Sequence, residues 1–204
     1  MLSDILPTGY EIGVLKGKVK PGSTVAIVGA GPVGLAALLT AQFYSPSKII
    51  MLDLDDNRLA TAKELGATHT INSTNVEDAV AQVKTLNHRG VDVAIEDVGT
   101  PQTFDLCQKL IGVDGTFANV GVHGLPVQFD IDKLWIKNIN VTTGLVPANT
   151  TEELLEALKS KIIQPEQLMT HYSKLSDIEQ AYDLFRNATD HKAIKLLIEN
   201  DITE

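Results

Sequence analysis

The sequence is poor in cysteine, in aromatic residues and in basic clusters, and each scarcity removes a class of protein. A single cysteine, Cys107, among 204 residues rules out an internal disulfide and a cysteine-rich metal knuckle. It lies in TFDLCQKLI, beside the apolar positions of an expected helix, and reads as a buried structural thiol. The five histidines, His69, His88, His123, His171 and His191, include no pair at metal-ligand spacing. Lys and Arg number 17 against 26 Asp and Glu, a formal net charge of −9, and no run of basic residues relieves it. Binding to a nucleic-acid backbone needs a basic footprint, so the balance argues against that partner. No apolar run approaches the roughly 18 residues of a membrane span. The opening MLSDILPTGY has neither the basic start nor the long apolar body of an export signal. The expectation is a soluble, cytoplasmic protein with no membrane partner.

What is present is Gly, Ala, Val, Ile and Leu, with aromatics at only 5%, a composition suited to a buried sheet covered by helices. A leading helix is expected from Ser3 to Lys16, with Ile5, Leu6, Ile12 and Leu15 inward, Pro7 in its first turn and Ser3 or Asp4 as cap. Strands and helices then alternate. The pattern predicts strands at Val25–Val28, Ile49–Leu52, Thr68–Ile71, Val91–Ile95, DGTFANVG and INVTTGL. Between them fall helices at Val33–Tyr44, Asn57–Leu65 with Gly66 as C-cap, Val76–Leu86, and Pro101–Leu110 with proline at its first position. Leu134 belongs to a short helix. About six strands with helical crossovers predict an α/β, doubly wound parallel sheet with helices on both faces. The division expected is a leading helix and linker over 1–20, a doubly wound core over 21–150, and C-terminal helices and tail strands over 151–204. In that tail, helices at Glu152–Leu158 and Ile178–Phe185 bracket LMTHYSKLSD, and KAIKLLIE reads as a last strand.

Gly29, Gly31 and Gly34 form G-x-G-x-x-G directly after an apolar strand and at the start of a helix. Gly29 suits the tight turn, Gly31 lets a diphosphate approach the backbone, and Gly34 allows close helix–strand contact. Free N–H groups and the macrodipole at the helix start favour an anion. Pro32 offers no N–H but presets φ, and Val33 completes the first turn. Asp53 ends the next strand nineteen residues after Gly34, where a carboxylate can accept bonds from both ribose hydroxyls and repel a 2′-phosphate. That favours NAD over NADP; Asp53 could instead cap the following turn with Asp55 and Asp56. In the same LDLDDNR stretch, Leu54 adjoins the adenosine, and Arg58 could reach a phosphate or lie against the adenine ring. The loops expected at the carboxyl ends of the strands are EDVGT, NVGVHG and TTGLV. Val98, Val120 and Leu145 are expected apolar neighbours of the nicotinamide, with Gly121 and Val122 beside them; each loop could equally be a compact turn.

Hydride transfer to a carbonyl needs a group that polarises the oxygen and one that passes a proton, and no recognisable set of either is present, so no catalytic residue is assigned. There is no Y-x-x-x-K pair. His123, in a strand-end loop, could touch a substrate or be a solvated loop histidine.

LSDILPTGY, VKPGSTVAIVGAGPVGL, LDLDDNR, ELGATHTIN, GVDVAIEDVG and GTFANVG together resemble the cofactor-binding half of zinc-dependent medium-chain alcohol dehydrogenases, over essentially the whole chain. The resemblance implies a Rossmann-type domain and NAD(P)-dependent oxidation of alcohols, or the reverse reduction. In that family a GroES-like domain supplies most catalytic zinc ligands. No counterpart precedes Met1, so the expectation is a truncated chain that binds NAD and does not turn over alcohol. The family's last zinc ligand corresponds to Asp4, an orphaned ligand here or simply a helix N-cap. Zinc is expected only with the missing domain. Lys192 matches a position where a cation approaches the diphosphate. The tail strands are expected to be frayed, re-paired or docked on a neighbour, and INVTTGL resembles the edge strand through which family dimers join. The alternative is a stand-alone dinucleotide-binding regulatory or partner module without catalysis.

Overall fold

Every residue of TVAIV is buried, and a strand covered on both faces belongs in the middle of a parallel sheet. The structure, a computed structural model that describes residues 1–201, places it there. Strands β1 (Thr24–Val28), β2 (Lys48–Asp53), β3 (His69–Asn72), β4 (Val91–Glu96), β5 (Ile111–Asn119) and β6 (Asn140–Thr143) form one six-stranded sheet. Its order is β3-β2-β1-β4-β5-β6, every pair parallel. This is the doubly wound order that reverses direction between β1 and β4, and the expected fold class holds.

A short α1 (Ile5–Pro7) runs directly into a π-helix at Thr8–Leu15, and the crossovers contribute α2 (Pro32–Ala41), α3 (Asp56–Glu64), α4 (Val76–Leu86), α5 (Pro101–Leu110) and α6 (Ile131–Leu134). Leu35 and Leu38 of α2 pack with Ile27, Met51, Leu6 and Tyr10 on one face of the sheet. On the other, Ala26, Ile50 and Phe117 meet Val83, Phe104 and Leu110 from α4 and α5. Cys107 is fully buried in this second layer, as expected. Side-chain caps define the helix starts. Asn75 accepts from the Asp78 N–H at 3.1 Å before α4, and Thr100 and Thr103 form a capping box ahead of Pro101 in α5. Both helices span the residues that the sequence predicts.

The leading helix differs. Its main part is π rather than α, and a turn widened by one residue shifts the phase of the apolar positions. Leu15, expected inward, is therefore 38% exposed, while Gly9 to Val14 are all buried. Asp4 stands at the N-cap position but makes no side-chain cap bond; its Oδ1 accepts from the Thr8 hydroxyl at 3.2 Å instead.

Of the outcomes open to the tail strands, re-pairing is the one found. β7 (Met169–Lys174) and β8 (Lys195–Glu199) form a separate two-stranded parallel sheet. The helices around them are α7 (Thr151–Lys159), α8 (Ile178–Arg186) and α9 (Ala188–His191). The tail is anchored to the main domain by apolar packing of Leu154, Ile163, Leu168 and Ile194 on the α2 side. A buried acid adds to the anchor, because Glu11 Oε1 accepts from both the N–H and the hydroxyl of Thr150, at 2.8 and 2.7 Å. In the small sheet Tyr172, Leu197 and Ile198 are exposed.

Candidate functional site

Where the strand order reverses, the loops after β1 and β4 part and leave a crevice at the carboxyl ends of the strands. In this chain the crevice is a cleft of about 640 Å³. Gly29, Gly31, Asp53, Arg58, Asp97 and Val98 are among its walls.

The three glycines differ in what surrounds them. Gly29 has φ +108° and a side chain there would press on Val98 Cγ2, 2.6 Å from the Cβ position; its N–H bonds to the Leu52 carbonyl at 2.8 Å. Gly34 packs so closely under the loop that a Cβ would run into the Gly29 carbonyl oxygen. Gly31, the N-cap of α2, has nothing within 4 Å of its Cβ position. The middle glycine alone faces open space, at the mouth of a helix whose first N–H groups lack intrahelical partners. Pro32 and Val33 are half-buried at that helix start. An anion the size of a diphosphate fits this cradle sterically and electrostatically.

The register Val28↔Leu52 sets the tip of β2 beside the glycine loop. There Asp53 Oδ2 accepts from the Ala30 N–H at 2.6 Å and Oδ1 from the Asp55 N–H at 2.9 Å. One carboxylate thus ties the loop to the strand tip and still lines the cleft. The α3 cap is Asp55, which accepts from Asn57 N–H at 2.8 Å. Asp55 also holds Arg58, with Nε 3.9 Å from Oδ2, along the same wall. Leu54 is exposed at its rim. Ser73, Gln102 and Thr103 add polar groups to the wall; they come from the end of β3 and from α5, and no local motif marks them.

At the end of β4 two acids stand side by side. Glu96 is fully buried, and its Oε1 accepts from the N–H groups of Val98 and Gly99 at 3.0 and 2.8 Å, which fixes the EDVGT loop. The register Glu96↔Asn119 brings β5 alongside, and His123 Nε2 lies 2.7 Å from Asn119 Oδ1 and 3.6 Å from Glu96 Oε2. The His123 side chain is only 14% exposed and packs edge-on against Phe104. It is therefore not the solvated loop histidine that the sequence allowed, because three elements close around it. Gly121 fits over Gly99 and Glu96, where a Cβ would collide with both. The second acid, Asp97, has both carboxylate oxygens buried without a hydrogen-bond partner. Burial, reinforced by the neighbouring Glu96, pushes its carboxyl well above the usual range. Burial likewise raises the Cys107 thiol, with smaller contributions from Glu96 and Asp97.

The remaining sequence candidates are scattered. Val98 lines the cleft, whereas Val120 is packed against the core. Val122 and Leu145 are each 90% exposed. Lys192 takes a left-handed conformation after α9 and borders a separate small cavity with Asp55, Arg58 and Ile194. Asp4 is exposed, and among the described residues no group of three or more His, Cys, Asp or Glu could hold a metal ion. The described residues do not make a zinc site. No helix among the described residues is long and apolar enough to cross a membrane.

Fold and cleft together define a Rossmann-type dinucleotide-binding domain. A family model described as zinc-binding dehydrogenase matches residues 32–160, and the chain belongs to that family, of which it carries the NAD-binding domain. It is 31% identical over 194 residues to an alcohol dehydrogenase of Cupriavidus necator, covering 93% of this chain and 53% of that protein. To a sorbitol dehydrogenase of Bacillus subtilis it is 36% identical over 188 residues, covering 90% and 52%. Among solved structures, zinc-dependent alcohol dehydrogenase 2 from Streptococcus pneumonia, in its apo form, superposes with TM-score 0.95 at 68% identity, covering 98% of this chain and 58% of that one. The chain spans about half the length of the curated relatives it matches.

Proposed function

We propose that the chain holds NAD(H) in the cleft as the cofactor-binding domain of a zinc-type alcohol dehydrogenase that interconverts alcohols with aldehydes or ketones. The observation that carries this reading is the open space at Gly31, at the mouth of α2, in the same cleft as the Asp53 carboxylate. The diphosphate lies against Gly31, Pro32 and Val33, and the adenosine ribose hydrogen-bonds to Asp53. Leu54 and Arg58 flank the adenine. Val98, Val120 and Gly121 border the nicotinamide. Val122, Leu145 and Lys192 belong to the same proposed cofactor contacts. Bound NAD supplies the hydride acceptor. The chain's own part is to bind and orient it, since none of the described residues is assigned to move the substrate proton. Zinc belongs with cysteine and histidine ligands outside the described residues, and Asp4 joins them only in that setting.

The division into 1–20, 21–150 and 151–204 is part of this proposal, as is a cytoplasmic location without membrane or nucleic-acid partners. So is a homo-oligomer through β6, whose edge leaves Val141 exposed and its outer backbone groups open to pairing.

Titration with NADH should shift or enhance its fluorescence; absence of binding at millimolar cofactor overturns the assignment. The chain alone should show no turnover of a short alcohol. In the same titration Asp53→Gly should weaken discrimination against NADPH, because the carboxylate that repels a 2′-phosphate is gone. Unchanged discrimination would mean that the ribose is held elsewhere.

A further inference from the structure

Asp97 is an anomaly in a cleft built for an anion. It follows β4 at the strand-order reversal, with its N–H bonded to the Val28 carbonyl at 2.9 Å. Its Cβ lies 3.6 Å from the Cβ position of Gly34, and its carbonyl carbon 3.4 Å from that of Gly29. The side chain is thus wedged behind the glycine loop and beneath the first turn of α2, and the residue lines the same cleft as Gly29 and Gly31. Both carboxylate oxygens are out of solvent and neither meets a donor. An ionised carboxylate without a partner is very costly to bury, and a neutral one much less so.

The groups that face it offer no compensating cation. On its own strand end Glu96 adds repulsion, and His123 is engaged with Asn119 and Glu96. From α5 comes the Cys107 thiol, itself pushed up by burial and by these two acids. The α2 segment PVGLAALLTA carries no titratable side chain. Across the cleft stand Asp53 and Asp55, with Arg58 drawn to Asp55.

We propose that Asp97 is a proton-linked determinant of dinucleotide affinity: its carboxyl rests uncharged behind the diphosphate cradle, and the cradle accepts the anion only while Asp97 holds its proton. When Asp97 has ionised, binding takes one proton from solvent onto a carboxylate oxygen. Affinity is then constant at low pH and falls about tenfold per pH unit above the titration of Asp97. This rests on the dinucleotide reading above and adds to it a residue and a pH dependence that the glycine motif does not contain.

The test is NADH binding from pH 6 to pH 10 by the native chain and by Asp97→Asn, a neutral isostere, with uncharged adenosine as a second probe. Asp97→Asn should match the native chain within about twofold on the low-pH plateau and exceed it by a ratio that grows with pH above that plateau. Adenosine should show no such divergence. Calorimetry in two buffers of different ionisation enthalpy should show proton uptake by the native chain on binding NADH at the upper pH, a readout that does not depend on the variant folding. Superimposable pH profiles for the two chains, no proton uptake, or a large loss in Asp97→Asn already on the low-pH plateau would each overturn the role of Asp97 while leaving the cleft assignment intact. If neither chain binds NADH at any pH, the dinucleotide reading fails and this inference with it.

Discussion

Gly31→Asp should unfold at a temperature no lower than the native chain and bind NADH at least a hundredfold more weakly. Stability is preserved for two reasons. Gly31 has φ −74° and ψ −179°, a conformation open to any residue, and its Cβ position has nothing within 4 Å. It is also the N-cap of α2, where aspartate is among the favoured residues and interacts well with the helix dipole. The loss of binding comes from the same geometry. The new side chain occupies the space that the diphosphate needs, and it brings a negative charge against another. At about 5 Å and an effective dielectric constant near 20, each pair of unit charges is worth about 3 kcal/mol, more than a hundredfold in Kd. Gly31→Asn separates the two contributions, since it keeps the bulk and removes the charge. Thermal unfolding together with NADH titration checks the pair, and native affinity in Gly31→Asp would place the anion elsewhere.

Elements with local signals were legible in the sequence, and features made by tertiary contact were not. The start of α5 was legible from Pro101, which acts on its own helix start. Strands β1, β2 and β4 were legible because strands buried on both faces leave nearly continuous apolar runs. The π character of Thr8–Leu15 was not, because that segment is buried nearly all round and has no polar face to report its period. The partners of the tail strands were equally hidden: alternation in MTHYSK reveals a half-covered strand, not what it pairs with. In the cleft, the glycine motif and Asp53 stood out because their spacing follows from strand, turn and helix in order. The cluster of Glu96, Asn119 and His123 was invisible because the β4–β5 register assembles it. EDVGT read as a loop of small residues, and nothing local in it shows that Asp97 turns inward while Val98 faces the cleft.

Gly34→Ala is expected to cost about 3 kcal/mol, at the upper end of overpacking changes, and for a chain of this size to lower Tm by roughly 6–12 °C. One methyl group has so large an effect because of what it meets. Its Cβ would run into the Gly29 carbonyl oxygen and sit 3.0 Å from the Gly29 carbonyl carbon. These are backbone atoms of a turn already fixed by the Gly29 N–H bond to Leu52 and by the Ala30 N–H bond to Asp53. A flexible side chain could swing aside; this turn can yield only if β1 separates from α2. That movement would strip contacts from Leu35 and Leu38, both fully buried, and would break the Asp53–Ala30 bond, so NADH binding should fall together with stability. The contrast with Gly31 is the decisive feature, since two glycines three residues apart in one motif are expected to fail in opposite ways. Denaturant unfolding measured alongside cofactor titration distinguishes them, and a Gly34→Ala chain with native Tm would show that helix and strand are not held as closely as this packing requires.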